Sequence, residues 1–557
     1  MTTLGSEIGQ KHPTRAAKPW QDQRLVHGGV ALMTCAAVGL TSLGLAAPAN
    51  AQQKGTPSDA EARTLDGSGN NTRDPSLGSA GTQYLRQADP NYADGIAAPT
   101  EGPNSRTVSN RVFADLGQNV FSGRGVTQWS WTWGQFLDHT FGLREGGDES
   151  APIDFDVDDP LERFQNDIGA IDFTRSAAAP GTGNNSPREQ LNTVSSFIDA
   201  HAVYGSSEDR LDWLREGSRD GDPTNNSAKL LLSPGEYLPR ATERADAQDA
   251  PTMDVEGRLR MDPDSRAIAG DMRANENIAL TATHTLFARE HNRIVDQLPA
   301  DMDEQEKFET ARRVVGATQQ YITYTEFLPA MGIKLPKYRG YNRKVNPTIS
   351  NEFATVGYRA HSQVHGEIEM EAETADYTPE QIAAFEAAGI EVTVAGSEIE
   401  LAVPLNLAFF APDLVEDLGL TAILTGLGLE AQYANDEQID NQLRSVLFQI
   451  PGQGVADLPA CLDGEEMPNC FAGVTDLGAI DIERARDHGV AGYNELRKAY
   501  GLAPKTSFKS ITGESVESFQ NVPNIDQNEP MNDPAILDFM ALFDGEGNQL
   551  EPDSDAA

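Results

Sequence analysis

The chain has 557 residues, enough for one large domain or two to three ordinary ones, and 39% of them are hydrophobic, so it can bury a sizeable core. Acidic side chains number 85 against 43 basic ones, a formal net charge of −42. Such a surface repels nucleic-acid phosphates and anionic lipid, so neither is expected as a partner, and it reads most simply as a solubility adaptation.

The N-terminus reads as an export signal. Lys11, Arg15, Lys18 and Arg24 precede an apolar stretch over 28–47, and Ala49-Asn50-Ala51 offers a small-x-small cleavage site before Gln52. Residues 1–51 are therefore the expected signal peptide, with a single-pass anchor as the alternative. No later segment is apolar for long enough to span a bilayer, so no stable membrane association is expected after cleavage, and the mature chain is expected to be secreted or periplasmic. Cys35 would leave with the signal. Cys461 and Cys470, in C-L-D-G-E-E-M-P-N-C, would close a short loop, which in an exported chain reads as one disulfide rather than a metal pair or redox couple.

Residues 52–110 are rich in Gly, Asn, Pro, Ser and Asp and predict an extended arm. The folded domain is expected over 111–505. From Val126 to Gly142, Trp129, Trp133, Phe136, Leu137 and Phe141 recur at helical spacing. Residues 220–265 read as loop, and a second helix is predicted from Ala274 to Leu298. Pro and Gly interrupt Tyr324 to Lys344. Alternation around Ala395-Gly396 predicts a small hairpin over Glu391 to Val403. Helical patterns return over Leu414 to Phe448 and Ile480 to Tyr500, and 506–557 form a polar, acidic tail. The class is mainly α with a minor β-hairpin.

The chain's nine histidines can be weighed singly. His139 lies in W-T-W-G-Q-F-L-D-H-T, where Gln135 and His139 share a helix face. Taken alone, this window describes a core histidine. No H-E-x-x-H helix, Walker loop or G-x-S-x-G elbow is present, so zinc-protease, phosphate and acyl-transfer chemistry lack support.

Three further windows change the reading. They are G-D-M-R-A-N-E-N-I-A-L-T-A-T-H-T-L-F-A-R-E-H-N-R at 270–293, G-Y-R-A-H-S-Q at 357–363 and I-D-I-E-R-A-R-D-H-G-V-A-G-Y-N at 480–494. With the His139 helix, N-N-T-R-D-P-S-L-G upstream and S-S-F-I-D-A-H-A-V-Y-G-S at 195–206, the sequence resembles the animal-type haem peroxidases of the peroxidase–cyclooxygenase superfamily over roughly residues 61–505.

The resemblance implies a helical haem peroxidase domain, haem b as cofactor, and hydrogen peroxide with a small reducing substrate as partners. In this reading His139 is the distal acid–base catalyst, since an imidazole with a pKa of about 6.5 can take a proton from peroxide and return it. Arg273 stabilises charge on the departing oxygen. Gln135 hydrogen-bonds the distal water or a halide, and His361 ligates the iron. Asp138 and Glu276 match the family's carboxylates that form ester bonds to haem, whereas Asn277 replaces its sulfonium-forming Met. Arg484 matches an arginine near a haem propionate. Asp481 stands where the family has an Asn that accepts from the proximal histidine, with pairing to an arginine such as Arg486 as the alternative. His284, His291 and His488 read as structural.

Three departures qualify the likeness. The family's calcium loop is represented by Ser195, Phe197 and Asp199, but Thr140 and His201 replace an Asp and a hydroxyl, so Ca²⁺ would be held weakly. The sequence runs only a short way past 505, which reads as a shortened or truncated C-terminus. Tyr358 precedes His361 by three, the offset of the radical tyrosine in fatty-acid dioxygenases of the superfamily, while Arg359 is displaced by one from the peroxidase pattern. A haem-dependent fatty-acid dioxygenase is thus one alternative, and a non-catalytic secreted binding protein the other.

Overall fold

The computed structural model describes residues 63–115, 120–155, 159, 169–448, 450 and 473–505, with a strand pair at Leu542–Phe543 and Gln549–Leu550. The signal, both cysteines of the expected disulfide and most of the acidic tail lie outside the described residues.

Helix α1, Trp129–Phe141, is buried on nearly every side, with Trp131, Trp133, Phe136, Leu137 and Phe141 all in the core. It begins three residues later than its periodicity suggests. The preceding residues are taken up in bridges from Phe121 to Tyr433 and from Thr127 to Ala431. Helix α2, Ile278–Gln297, also begins later than expected. Asn277 caps it by accepting from Leu280 N–H at 2.9 Å, and the residues before the cap form a turn closed by Glu276 N–H to Arg273 C=O. Helix α3, Glu304–Ile322, follows and is capped by Asp303. Phe136 stacks on Phe287 at 5.2 Å and joins α1 to α2, while His291 meets Phe308 at 5.2 Å and joins α2 to α3.

The expected hairpin is found and is part of a three-stranded antiparallel sheet. Strand β1, Glu367–Glu373, is followed by helix α4, Pro379–Ala387, then β2, Glu391–Ala395, and β3, Glu398–Pro404, in the order β1-β3-β2. Inward residues such as Ile368, Met370, Leu401 and Val403 alternate with glutamates, the pattern of a sheet with one wet face. Helix α5, Leu420–Gly426, packs on β1. Trp131 belongs to the core beneath this sheet and Trp133 to the core around α2 and α3, so α1 stands between the two.

Two helical expectations are corrected. Residues 414–448 form no continuous helix: Asp413–Leu418 stops at Gly419, whose φ of +85° belongs to the left-handed region, and α5 ends at Gly426. Beyond it, 431–439 pairs with 114–127, so tertiary pairing overrides the local pattern. Likewise 480–500 divides into α6, Leu477–Asp487, and a second helix, Tyr493–Ala499. The break falls at His488, whose ring is drawn inward between Ser176 Oγ and Asn351 Oδ1, each 2.7 Å away. Among the described residues no helix is long and apolar enough to cross a membrane.

Candidate active site

The site is assembled on α1. His139, on its last turn, is 2% exposed and lies between two carboxylates. Its Nδ1 is 3.6 Å from Asp271 Oδ1 and its Nε2 is 3.4 Å from Glu276 Oε2. Gln135, one turn earlier, donates to Glu276 Oε2 at 2.7 Å and accepts from Asn277 at 2.8 Å. Arg273 donates from Nε and Nη2 to the two oxygens of Asp271, each at 2.9 Å. It also donates to Asp138 Oδ2 at 3.1 Å and to the Gly142 carbonyl that ends α1 at 2.7 Å. The five distal residues named from the sequence, Gln135, Asp138, His139, Arg273 and Glu276, thus form one network.

Burial alone would raise the carboxyl of Glu276. His139, Arg273 and Gln135 outweigh it and hold the group below its ordinary range. Glu276 and Asp138 nonetheless keep 27% and 21% of their side-chain surface open, so neither carboxylate is packed on all sides. Burial, followed by the charge of His139, lowers His284 to about 3, which leaves it a neutral ring against Phe136.

His361 opens a single helical turn, with Ala360 between it and the Tyr358-Arg359 pair. Its Nδ1 lies 2.8 Å from Asp481 Oδ2 on α6, within hydrogen-bond distance although the ring N–H is not aligned on the oxygen. Asp481 also meets Arg359 at 3.6 Å, whereas Arg486 pairs with Glu483 at 2.7 Å. Tyr358 anchors this segment to α1, its ring 5.4 Å from Phe141 and 5.1 Å from Phe353.

Arg484 lies close by over the face of Phe173. Its Nη1 donates to Thr174 C=O, Ser176 Oγ and Asp487, all within 3.0 Å. Sequence reasoning missed Arg144. Burial, then the charges of Arg484 and Arg359, push its guanidinium down to about 10, and no side-chain partner neutralises it among the described residues. Nothing local in L-R-E-G marks it, because its meaning comes from the arginines that the fold gathers around it.

The 195–201 loop is closed by the protein itself. Ser195 Oγ donates to Asp199 Oδ2 at 2.7 Å, Phe197 N–H donates to Ser195 Oγ at 3.1 Å, and Asp199 Oδ1 has no hydrogen-bond partner among the described residues. Thr140 turns its hydroxyl back to Phe136 C=O, and His201 reaches away from the loop to Asp271 Oδ2 at 3.5 Å. Among the described residues no group of three or more His, Cys, Asp or Glu side chains is arranged to hold a metal ion.

A family model described as animal haem peroxidase matches residues 62–527. The chain belongs to this family. Peroxidasin of Drosophila melanogaster is 31% identical over 504 residues, covering 81% of this chain and 29% of that protein. Lactoperoxidase of Mesocricetus auratus is 30% identical, covering 80% of this chain and 62% of its own length. The chain therefore spans less than two thirds of either relative. Peroxidase A from Dictyostelium discoideum superposes with a TM-score of 0.62 at 26% identity, over 82% of this chain and 81% of that one. A fatty acid alpha-dioxygenase from Oryza sativa shares the fold, with a TM-score of 0.57 at 16% identity over 83% of this chain and 70% of that one.

One acid beside the network yields a pH prediction. Burial, then the charge of Glu276, raises Asp254 to about 6. A carboxyl whose folded pKa exceeds its unfolded value stabilises the fold below the unfolded pKa and loses that contribution as pH rises through the folded one. Asp254→Asn should therefore gain Tm relative to wild type as pH rises from about 4 to about 7. A Tm difference that stays flat over that range, measured by calorimetry, would remove Asp254 from the network.

Proposed function

We propose that this chain is a haem peroxidase that consumes hydrogen peroxide and oxidises small organic donors and the more easily oxidised halides. The observation that carries the reading is the buried network that joins His139 to Arg273 through Asp271, together with a partly exposed His361 whose Nδ1 lies 2.8 Å from Asp481 Oδ2. The residues suit haem. His361 would offer Nε2 to the iron, Asp138 and Glu276 keep part of their surface open, and Arg144, Arg359 and Arg484 would supply positive charge for two propionates. When bound, haem supplies the iron centre that takes up peroxide and the oxidising equivalents passed to donors.

His139 takes the proton from one peroxide oxygen and returns it to the other, which leaves as water. Arg273, fixed by Asp271, Asp138 and the end of α1, stabilises the charge that builds on that oxygen. Gln135, held between Glu276 and Asn277, orients the distal water or a halide. A loop cation would find one carboxylate, Asp199, and would be bound weakly. Residues 1–51 would direct export.

A second reading, a fatty-acid dioxygenase, rests on Tyr358. The two separate in one experiment on purified holoprotein. Peroxide-driven phenol oxidation should fall about 10²–10⁴-fold in His139→Ala, the usual worth of a general acid–base group, and survive Tyr358→Phe. Oxygen uptake with a fatty acid, abolished by Tyr358→Phe, would decide for the dioxygenase.

Asp138 and Glu276 would each join a porphyrin methyl as an ester. Carboxyl and methyl together lose two hydrogen atoms, and hydrogen peroxide accepts them and leaves as two waters. Acidic organic solvent should then fail to extract haem from peroxide-treated protein. Complete extraction would rule the bonds out.

Asp481 would make His361 a stronger donor than an amide partner would, stabilising ferric over ferrous iron. Asp481→Asn should raise the reduction potential and improve halide oxidation. An unchanged potential with haem retained would show that this carboxylate does not tune the iron.

A further inference from the structure

The carboxylate that fixes Arg273 also faces His139. Asp271 is 1% exposed and lies two residues before Arg273. A close backbone approach puts it there: a Cβ at Gly270 would lie 2.4 Å from His201 C=O and 2.6 Å from the amide nitrogens of Tyr204 and Gly205. Only glycine lets the 270–273 segment lie flat on the 201–205 turn. Asp271 N–H then donates to Ala202 C=O at 3.2 Å, and the side chain emerges behind His139.

Each oxygen of Asp271 has two kinds of neighbour. Oδ1 accepts from the backbone N–H and Nε of Arg273 and lies 3.6 Å from His139 Nδ1; Oδ2 accepts from Arg273 Nη2 and lies 3.5 Å from His201 Nε2. His139 Nδ1 is buried and makes no hydrogen bond among the described residues, and the oxygen of Asp271 at 3.6 Å is the charge it faces. Burial alone would raise the carboxyl, but Arg273, His139 and His201 outweigh it and hold Asp271 well below the ordinary range, so it stays a carboxylate.

We infer that Asp271 is a positioning residue that fixes the tautomer of His139, holding the proton on Nδ1 so that Nε2 is the basic nitrogen, while His201 holds the carboxylate in place. This rests on the peroxidase reading of His139. A base that must receive a proton at Nε2 needs its other nitrogen protonated, and a buried anion beside Nδ1 both orients the ring and stabilises the imidazolium it becomes. Glu276 competes for Nε2 at 3.4 Å, but an ester at Glu276 removes that charge and leaves Asp271 as the anion beside the ring. The same carboxylate aims Arg273, so one buried charge sets both distal side chains.

The test is the pH dependence of cyanide association with the holoprotein, a ligand whose proton must pass to the distal base. The charged or titratable groups around His139 are Asp138 on α1, Asp271, Arg273 and Glu276 on the 271–276 segment, His284 on α2 and the nearby Asp254. Asp271→Asn keeps the shape and removes the charge. It should slow cyanide association at least tenfold and move the acid limb of the profile to lower pH, since the imidazolium loses its counter-ion, and Asp271→Glu should restore part of both. An unchanged profile in Asp271→Asn, with full haem content, overturns the inference. If that variant does not fold, His201→Gln takes its place: a smaller shift in the same direction supports the role and an unmoved profile refutes it. His139→Gln separates the two ideas. Full peroxide turnover in that variant would defeat the acid–base role of His139 on which the inference rests, whereas its loss together with an unmoved Asp271→Asn profile defeats only the role of Asp271.

Discussion

The forked ion pair of Asp271 and Arg273 is the constraint from which the distal side follows. Neither charge could stay buried alone, and deleting one partner of such a pair typically costs about 3–5 kcal/mol. Together they tie three pieces of chain that are far apart in sequence. Asp271 sits on the 201–205 turn through the contact at Gly270, and Arg273 reaches Gly142 C=O at 2.7 Å. That carbonyl ends α1, where the helix dipole is negative and a cation is favoured. The position of the last turn of α1, and of His139 on it, is therefore set by charge as much as by the aromatic packing of Trp133 and Phe136 beneath it.

Charge is distributed unevenly between inside and outside. The chain carries −42 overall, yet Arg484 and Arg359 lie close enough to Arg144 to help lower its affinity for protons, and Arg359 does the same to Arg484. Asp487 pairs with Arg484 at 2.9 Å and Asp481 meets Arg359 at 3.6 Å, whereas Arg144 has no side-chain partner among the described residues, a position that a carboxylate of a bound cofactor would complete. Asp481 joins this cluster to His361, 3.6 Å from Arg359 and 2.8 Å from the imidazole Nδ1. In the proposed haem reading the cations would hold the cofactor and the carboxylate would tune its metal.

Much of this frame was legible in the sequence and part was not. The periodicity of Trp129, Trp133, Phe136 and Phe141 marks α1, and alternation around Gly396 marks the β2–β3 hairpin, because both signals are local. The pattern over 414–448 misled for the converse reason: its residues are apolar at helical spacing, but 431–439 pairs with a segment three hundred residues earlier. The site itself was legible only through resemblance. Periodicity makes His139 a core histidine, and its 2% exposure agrees with that description while saying nothing of the carboxylates on either side. Asp271 offered one faint signal, a charged residue ending the apolar run A-I-A-G, and it gains meaning only when folding brings it to His139 and His201. Arg144 offered none.

Tyr358 illustrates how environment, rather than offset, decides what a side chain can do. A tyrosine that acts as a one-electron relay must give up its proton as it gives up its electron, so its hydroxyl needs an acceptor. The hydroxyl of Tyr358 is buried without a hydrogen-bond partner among the described residues, and burial, with the charge of Asp138, raises its pKa far above the ordinary value. Oxidising it there would leave a charged radical in an apolar cage of Phe141 and Phe353. The same ring is well suited to a mechanical task. It fills the space between α1 and the His361 turn, with its hydroxyl close to Gly134. The spacing between α1 and the His361 turn thus depends on a packed aromatic whose chemistry its surroundings suppress, which favours the proposed peroxide chemistry at His139 over hydrogen abstraction at Tyr358.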